Sequence, residues 1–130
     1  MESRNRKIAV VTGGSRGLGR NTALHLARRG VDVILTYRSQ RTEAEQVVAE
    51  IAALGGSAVA LQLDVAESGT FDNFVETLKG VLSEHWQRKT FDSLVNNAGI
   101  GIHAAFADTT EEQFDELVRI QLKGPFFLTQ

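Results

Sequence analysis

Thr12-Gly13-Gly14-Ser15-Arg16-Gly17-Leu18-Gly19 is a glycine-rich stretch that follows one apolar run and precedes a segment of helical period. The preceding run, Ile8-Ala9-Val10-Val11, is continuously apolar, as expected for a strand that is buried on both faces of a sheet. From about Gly17, apolar residues recur at spacings of three and four, which is typical of a helix. Gly13 permits a sharp bend after the strand, and Gly17 lets backbone N–H groups approach a diphosphate. Gly19 lets the helix pack closely against the sheet, so the stretch predicts a phosphate-binding turn.

The rest of the chain alternates between apolar runs of strand length and segments of helical period. This alternation predicts βαβ units on a parallel sheet, with right-handed crossovers. Four units give an α/β fold with a doubly wound sheet of strand order 3-2-1-4. The predicted strands are 8–11, 31–36, 58–63 and 93–97, and the predicted helices are 17–29, 42–54, 70–86 and 110–130. The expected helix signals are a C-cap glycine at Gly30, a capping box of Thr110 with Gln113, and inward-facing stripes that include Leu18, Leu54, Val75, Trp86 and Phe114.

Composition excludes several classes of protein. The 130 residues predict one domain over 1–130, and a content of 42% hydrophobic and 23% charged residues is typical of a globular chain. A net charge of -2 argues against a nucleic-acid-binding polycation, and no apolar run reaches the roughly 18 residues of a membrane span. There is no cysteine, and the three histidines have no metal-ligand spacing, so we expect no metal site. The polar segment 1–7 does not resemble a signal peptide, which favours a cytoplasmic protein.

Two alternatives to a dinucleotide turn can be compared for the glycine-rich stretch. A P-loop requires Gly-Lys-Ser/Thr at its end, whereas Gly19 is followed by Arg20 and Asn21, so this alternative is rejected. The other alternative is a glycine-rich connection that binds no ligand. Three glycines together with Ser15 and Arg16 favour an anion-binding turn over such a connection.

The end of the second predicted strand indicates which dinucleotide is bound. A carboxylate there would accept a hydrogen bond from the adenosine ribose and favour NAD, but the strand continues into Tyr37-Arg38-Ser39. Arg38 offers a planar, permanently charged fork that suits a 2′-phosphate, and Arg16 lies in the nearby turn. We therefore expect NADP rather than NAD, with solvated surface arginines as the alternative.

Three motifs at family spacing resemble the short-chain dehydrogenase/reductase family over essentially all 130 residues. They are Thr12-Gly13-x-x-x-Gly17-x-Gly19, Asp64-Val65 after the third strand, and Asn96-Asn97-Ala98-Gly99 after the fourth. The resemblance implies a Rossmann-type fold, NADP-linked alcohol–carbonyl chemistry, and some self-association. It also implies that the turn binds the diphosphate, that Asp64 and Val65 contact adenine, and that the last motif lines the nicotinamide ribose. The implied cofactor-binding residues are Gly13, Ser15, Arg16, Gly17, Leu18, Gly19, Arg38, Ser39, Asp64, Val65, Asn97, Ala98 and Gly99.

The catalytic residues of the family lie beyond the segment that this chain matches. They are a tyrosine, a lysine four positions later and an earlier serine. The only tyrosine, Tyr37, belongs to the adenosine side, and Arg41 stands four positions after it, so we expect the 130 residues to be inactive by themselves. Gln121 occupies the position of a family asparagine. Its extra methylene argues against a role that needs a short side chain and leaves a backbone role open.

The apolar run Phe126-Phe127-Leu128 near residue 130 has no helix-ending signal after it, and the fourth predicted strand would be an open sheet edge. These features predict a truncated domain, about half of a larger one, rather than a helix that ends at the surface. Three interpretations follow. The chain is the cofactor-binding half of an NADP-dependent oxidoreductase, a non-catalytic dinucleotide-binding module, or a fragment completed by another chain in an oligomer. A small carbonyl or alcohol substrate is expected only for an intact enzyme.

Overall fold

The computed structural model describes residues 6–130, and these residues form a single four-stranded parallel sheet with helices against it. The strand order is β3-β2-β1-β4, which confirms the predicted fold class and order. The strands are β1 (Ile8–Val11), β2 (Asp32–Tyr37), β3 (Ala58–Gln62) and β4 (Ser93–Val95). The helices are α1 (Gly17–Arg28), α2 (Arg41–Ala53), α3 (Phe71–Trp86), α4 (Glu111–Val118) and α5 (Gly124–Thr129).

Successive side chains along the central strands pack alternately into two separate hydrophobic cores, one on each face of the sheet. Val33 and Leu35 of β2 pack with α1 and α2, whereas Ile34 packs with α3. All of β1 is buried, as its continuous apolar sequence predicts. The two-sided burial holds the carboxyl ends of β1 and β2 rigidly, and the loops that follow these ends form the candidate site.

The first three helices and all four strands begin and end within two residues of their predicted positions, and Gly30 has the left-handed conformation (φ 84°) expected of a C-cap glycine. The predicted helix over 110–130 is helical throughout 111–129, but it is not α-helical over its whole length. The capping box of Thr110 and Gln113 is confirmed, but α4 passes into a π-helical turn, Arg119–Lys123, before α5. Pro125 explains the interruption, because it has no N–H to donate to the carbonyl four residues earlier.

Four residues that were predicted to face the core are exposed. Leu54 is 46% exposed because it stands at the C-terminal end of α2, beyond the last buried turn of that helix. Leu18 is 78% exposed because it stands in the first turn of α1, next to the cavity described below. Phe114 is 61% exposed, since α4 finds little to pack against among residues 6–130 other than the π-helical turn that follows it. Val75 lies on the flank of α3 and is also exposed, whereas Trp86 at the end of α3 is buried as predicted.

A buried carboxylate joins several elements at the amino-terminal edge of the sheet. Asp32 is the first residue of β2, and its Oδ2 accepts a hydrogen bond from the indole N–H of Trp86 at 2.9 Å. Its Oδ1 accepts from Arg6 Nε at 3.0 Å and from the Ser57 amide at 3.1 Å. The carboxylate is therefore fully partnered despite its burial, as buried charges generally are.

A second carboxylate, Asp92, stands just before β4 at the same edge. It accepts hydrogen bonds from the Arg88 guanidinium at 2.8 Å and from the Ile8 amide at 2.9 Å. The Arg88 hydrogen bond, followed by the Ile8 amide, lowers the pKa of Asp92 from 3.8 to about 2. The same pair raises the pKa of Arg88.

Residues 6–130 contain neither a membrane-spanning helix nor a metal-binding cluster. None of the helices in this range is both long and apolar enough to cross a membrane. No group of three or more histidine, cysteine, aspartate or glutamate side chains in the same range is placed to bind a metal ion. Residues 1–5, which belong to the polar segment noted in the sequence, lie outside the described residues.

Candidate cofactor-binding site

A cavity of about 390 Å³ opens at the carboxyl ends of the strands, where ligands bind in open α/β sheets. It brings together the turn after β1 and the segments that follow β2, β3 and β4. Every predicted cofactor-binding residue except Gly19 lines it. The lining residues are Gly13, Ser15, Arg16, Gly17, Leu18, Tyr37, Arg38, Ser39, Gln40, Leu63, Asp64, Val65, Asn97, Ala98, Gly99, Ile100 and Ile120.

The glycine turn, residues 13–19, offers unused hydrogen-bond donors to this cavity. The first N–H bond of α1 runs from Arg20 to the Arg16 carbonyl, and the N–H groups of residues 15–19 find no acceptor among residues 6–130. Gly13 (φ 66°) and Gly17 (φ 60°) both adopt the left-handed conformation that favours glycine. Unpaired N–H groups at the start of α1 are suited to an anion.

Gly19 lies behind the cavity rather than in it. A Cβ on this residue would overlap the Gly13 carbonyl oxygen and the Asn97 side-chain amide. The Asn97 amide itself donates to the Gly13 carbonyl at 3.1 Å. Gly19 therefore permits close packing of α1, as predicted, while the turn in front of it lines the cavity.

The segment after β2 brings a guanidinium to the cavity, and the segment after β3 brings a carboxylate next to it. Arg38 Nε lies 3.4 Å from Asp64 Oδ2, and the Arg38 carbonyl accepts a hydrogen bond from the Gln62 side chain at 3.2 Å. The sequence of β2 alone contains no carboxylate at this end of the site. The carboxylate comes from Asp64, just after the neighbouring strand β3, because neighbouring parallel strands end at the same edge of the sheet.

Asp64 also stabilises its own turn. Its Oδ1 accepts a hydrogen bond from the Ala66 amide at 2.9 Å, and its backbone carbonyl accepts one from the Glu67 amide at 3.0 Å. This arrangement is an Asx-type turn before α3 rather than a cap of that helix. Val65, the next residue, is buried, and its carbonyl lies so close to Gly124 that any side chain there would overlap it.

The hydroxyl of Thr12, the residue between β1 and the glycine turn, holds the segment after β4. Thr12 Oγ1 accepts the amides of both Asn97 and Ala98 at 3.0 Å, and it donates to the Val95 carbonyl at 3.4 Å. The Asn97 side chain in turn donates to the Gly13 carbonyl, and Asn97 also lines the cavity. The Asn96 side chain instead donates to Thr129 Oγ1 at 3.0 Å, away from the cavity lining.

Gln121 lies in the π-helical turn, and its side chain reaches the loop after β4. Its Nε2 donates to the Ile100 carbonyl at 2.7 Å. Its Oε1 lies beside Gly99, where an added Cβ would approach it to 2.8 Å. The longer side chain therefore contacts the lining segment 99–100 from outside.

Five lining residues were not predicted from the sequence: Tyr37, Gln40, Leu63, Ile100 and Ile120. Four of them are immediate neighbours of predicted residues at strand ends, so a rule that includes flanking positions would have found them. Ile120 comes from the distant π-helical turn. No local sequence signal places it at the cavity.

Comparison with known proteins assigns the family. A family model described as short chain dehydrogenase matches residues 7–130. The chain belongs to the short-chain dehydrogenase family. Among relatives of this short-chain dehydrogenase chain, the 3-oxoacyl-(acyl-carrier-protein) reductase of Synechocystis sp. is 38% identical over 124 residues, which are 95% of this chain and 48% of that protein. The tetrahydroxynaphthalene reductase PfmaG of Pestalotiopsis fici is 33% identical over 124 residues, 95% of this chain and 43% of that protein.

Comparison with solved structures finds the same fold. The crystal structure of the angucycline C-6 ketoreductase LanV with bound NADP matches with a TM-score of 0.91 at 35% identity. The match covers 95% of this chain and 48% of LanV. This short-chain dehydrogenase chain therefore spans about half the length of the relatives that it matches.

Proposed function

We propose that residues 1–130 form the NADP-binding part of a short-chain oxidoreductase that interconverts an alcohol and a carbonyl compound. The observation that carries the proposal is a cavity lined by residues 15–18, whose N–H groups have no acceptor among residues 6–130, and by the guanidinium of Arg38. The relatives named as reductases, and the NADP in the LanV structure, support the same assignment. When bound, the reduced dinucleotide supplies the hydride.

The donors of the cavity fit the two anionic parts of NADP. A diphosphate needs several N–H donors close together, and the glycine turn provides them together with the positive end of α1. A 2′-phosphate needs a fixed cation, and Arg38 provides one. Because Arg38 faces Asp64 through Nε, its two terminal nitrogens remain for the phosphate. Arg16 and Ser39 also line the cavity, and we propose that they complete this binding site.

The other two segments fit the two ends of the dinucleotide. Asp64 and Val65 are proposed to contact adenine, since they follow β3 at the outer end of the sheet. Asn97, Ala98 and Gly99 follow β4 at the opposite end and are proposed to line the nicotinamide ribose. Gln121 is proposed as a positioning residue, which holds this segment through the Ile100 carbonyl without touching a substrate.

We further propose that the 130 residues do not catalyse the reaction alone. Proton transfer requires a donor within about 3 Å of the reacting oxygen. The only tyrosine, Tyr37, ends β2 beside Arg38, at the adenosine end of the proposed site. Purified chain mixed with NADPH and a ketone should therefore oxidise no NADPH. Clear NADPH-dependent reduction of a carbonyl compound would contradict this.

Titration with NADPH and with NADH tests the proposed cofactor. NADPH is expected to bind more tightly, and Arg38→Ala should weaken NADPH binding roughly tenfold or more, the value of one charge-assisted hydrogen bond. NADH binding should change little. The matched control is Arg28→Ala, in the last turn of α1 outside the cavity lining, which should alter neither affinity. Equal losses for both dinucleotides in Arg38→Ala, or no binding by folded chain, would refute the assignment.

A second candidate function is association with a further chain, and the exposed apolar side chains after residue 110 favour it. Phe114, Leu122 and Phe126 are all more than 60% exposed. Large exposed apolar side chains within one segment of the chain are candidates for an interaction site. We propose a homo-oligomer, which light scattering during gel filtration would test. A monomer at all accessible concentrations would argue against it, and Phe126→Ser should reduce any self-association that is seen.

A further inference from the structure

Thr36, the penultimate residue of β2, contacts the glycine turn although it does not line the cavity. It is only 1% exposed. Its Oγ1 accepts the Gly13 N–H at 3.1 Å, and its backbone carbonyl accepts the Gly14 N–H at 2.9 Å. One buried residue therefore occupies the first two N–H groups of the turn.

The strand around Thr36 leaves the turn little freedom to move. A Cβ on Gly14 would lie 2.7 Å from Leu35 Cβ, so the turn sits directly on the preceding residue of β2. The Gly13 carbonyl is held from the other side by the Asn97 side chain. Leu35 is itself fully buried in the core between β2 and the helices α1 and α2. The position of the turn is thus set by a rigid strand.

The two occupied N–H groups define which part of the turn remains for an anion. Gly13 and Gly14 are already paired, so only the N–H groups of residues 15–19 are available. Loss of the Thr36 hydroxyl would leave the Gly13 N–H without a partner. An unpaired amide is costly, and the turn would shift to find water or another acceptor.

We propose that Thr36 is a positioning residue for dinucleotide binding, whose two oxygens hold Gly13 and Gly14 so that residues 15–19 face the diphosphate. The inference rests on the proposed function. Because NADPH and NADH share the diphosphate, Thr36 acts on both, unlike Arg38, which acts on the 2′-phosphate alone.

Substitution at Thr36 tests the proposal in the full 130-residue chain. Thr36→Val keeps the shape and removes the acceptor, and it should raise the Kd for NADPH and for NADH by a similar factor, roughly fivefold or more. Thr36→Ser keeps the acceptor and should bind within about twofold of the unaltered chain. Thr77→Val, on an exposed face of α3, is the matched control for the loss of a threonine hydroxyl. If Thr36 had a purely structural role, Thr36→Val would lower the melting temperature but leave both Kd values unchanged. That result would overturn the proposal. A loss of affinity for NADPH alone, without a loss for NADH, would overturn it as well.

Amide hydrogen exchange of the unaltered chain tests the same point should Thr36→Val fail to fold. Gly13 and Gly14 are expected to be protected without ligand, whereas the amides of residues 15–19 should gain protection only with NADPH. Fast exchange at Gly13 that NADPH slows would overturn the proposal. Absence of NADPH binding by the unaltered folded chain would overturn the proposed function as well, while normal binding with no effect of Thr36→Val overturns this inference alone.

Discussion

Gly19→Ala tests whether α1 must pack closely behind the glycine turn. Gly19 is the third residue of α1, and it is buried. An alanine Cβ would overlap the Gly13 carbonyl oxygen and the Asn97 side-chain amide. These two groups are hydrogen-bonded to each other at 3.1 Å, so neither can move away without breaking that bond.

The expected size of the effect follows from three contributions. Alanine favours a helix over glycine by up to about 1 kcal/mol. Overpacking against a backbone carbonyl costs about 1–3 kcal/mol, and loss of the Asn97 hydrogen bond costs about 1 kcal/mol. Gly19→Ala should therefore lower the free energy of unfolding by about 1–3 kcal/mol, and it should weaken NADPH binding because the turn is displaced.

Urea unfolding followed by the fluorescence of Trp86 measures this directly, since Trp86 is the only tryptophan and is buried. Gly80→Ala is the matched control. Gly80 is also helical, but an alanine methyl at this position would meet no atom within 4 Å outside the local helix backbone, so this variant should gain up to about 1 kcal/mol. If Gly19→Ala were as stable as Gly80→Ala and bound NADPH normally, the packing argument would be refuted.

Two further predictions concern other parts of the fold. The pKa of Asp92 is lowered to about 2 in the folded chain from 3.8, so its contribution to stability is present above pH 3.8 and is lost as the pH falls towards 2. Urea midpoints measured across this range should fall more steeply for the unaltered chain than for Asp92→Asn, and parallel curves would contradict the assignment. Gln87, at the end of α3, has φ 53°, a left-handed conformation that favours glycine. Gln87→Gly should therefore raise the free energy of unfolding by about 0.5–1 kcal/mol and raise the melting temperature with it. A lower melting temperature would contradict this prediction.

The order of elements and most of the cavity lining could be predicted from the sequence, because both depend on local signals. A buried strand, a glycine turn and a helix follow one another directly in residues 8–28, and the parallel topology places all strand ends at one edge. The pairing of Arg38 with Asp64 depends on two segments that are distant in sequence. It becomes visible only once β2 and β3 are adjacent.

The apolar periodicity after Thr110 did not predict the π-helical turn or the contacts that this turn makes with distant segments. The apolar spacing after Thr110 indicates a single helix with Phe114 inward, but Pro125 breaks the hydrogen-bond ladder and produces the π-helical turn. That turn brings Ile120 to the cavity and Gln121 to the Ile100 carbonyl. The role of Thr36 was missed for a related reason: a threonine within an apolar strand gives no signal until its hydroxyl is seen beside Gly13.

The most direct test of the central claim is a titration of isotopically labelled chain with NADPH, followed by the backbone amide resonances. Saturable shifts are expected that are largest for residues 15–19, with further shifts at Arg38, Ala98 and Gly99. Folded chain whose amide resonances at 15–19 remain unchanged at saturating NADPH would contradict it.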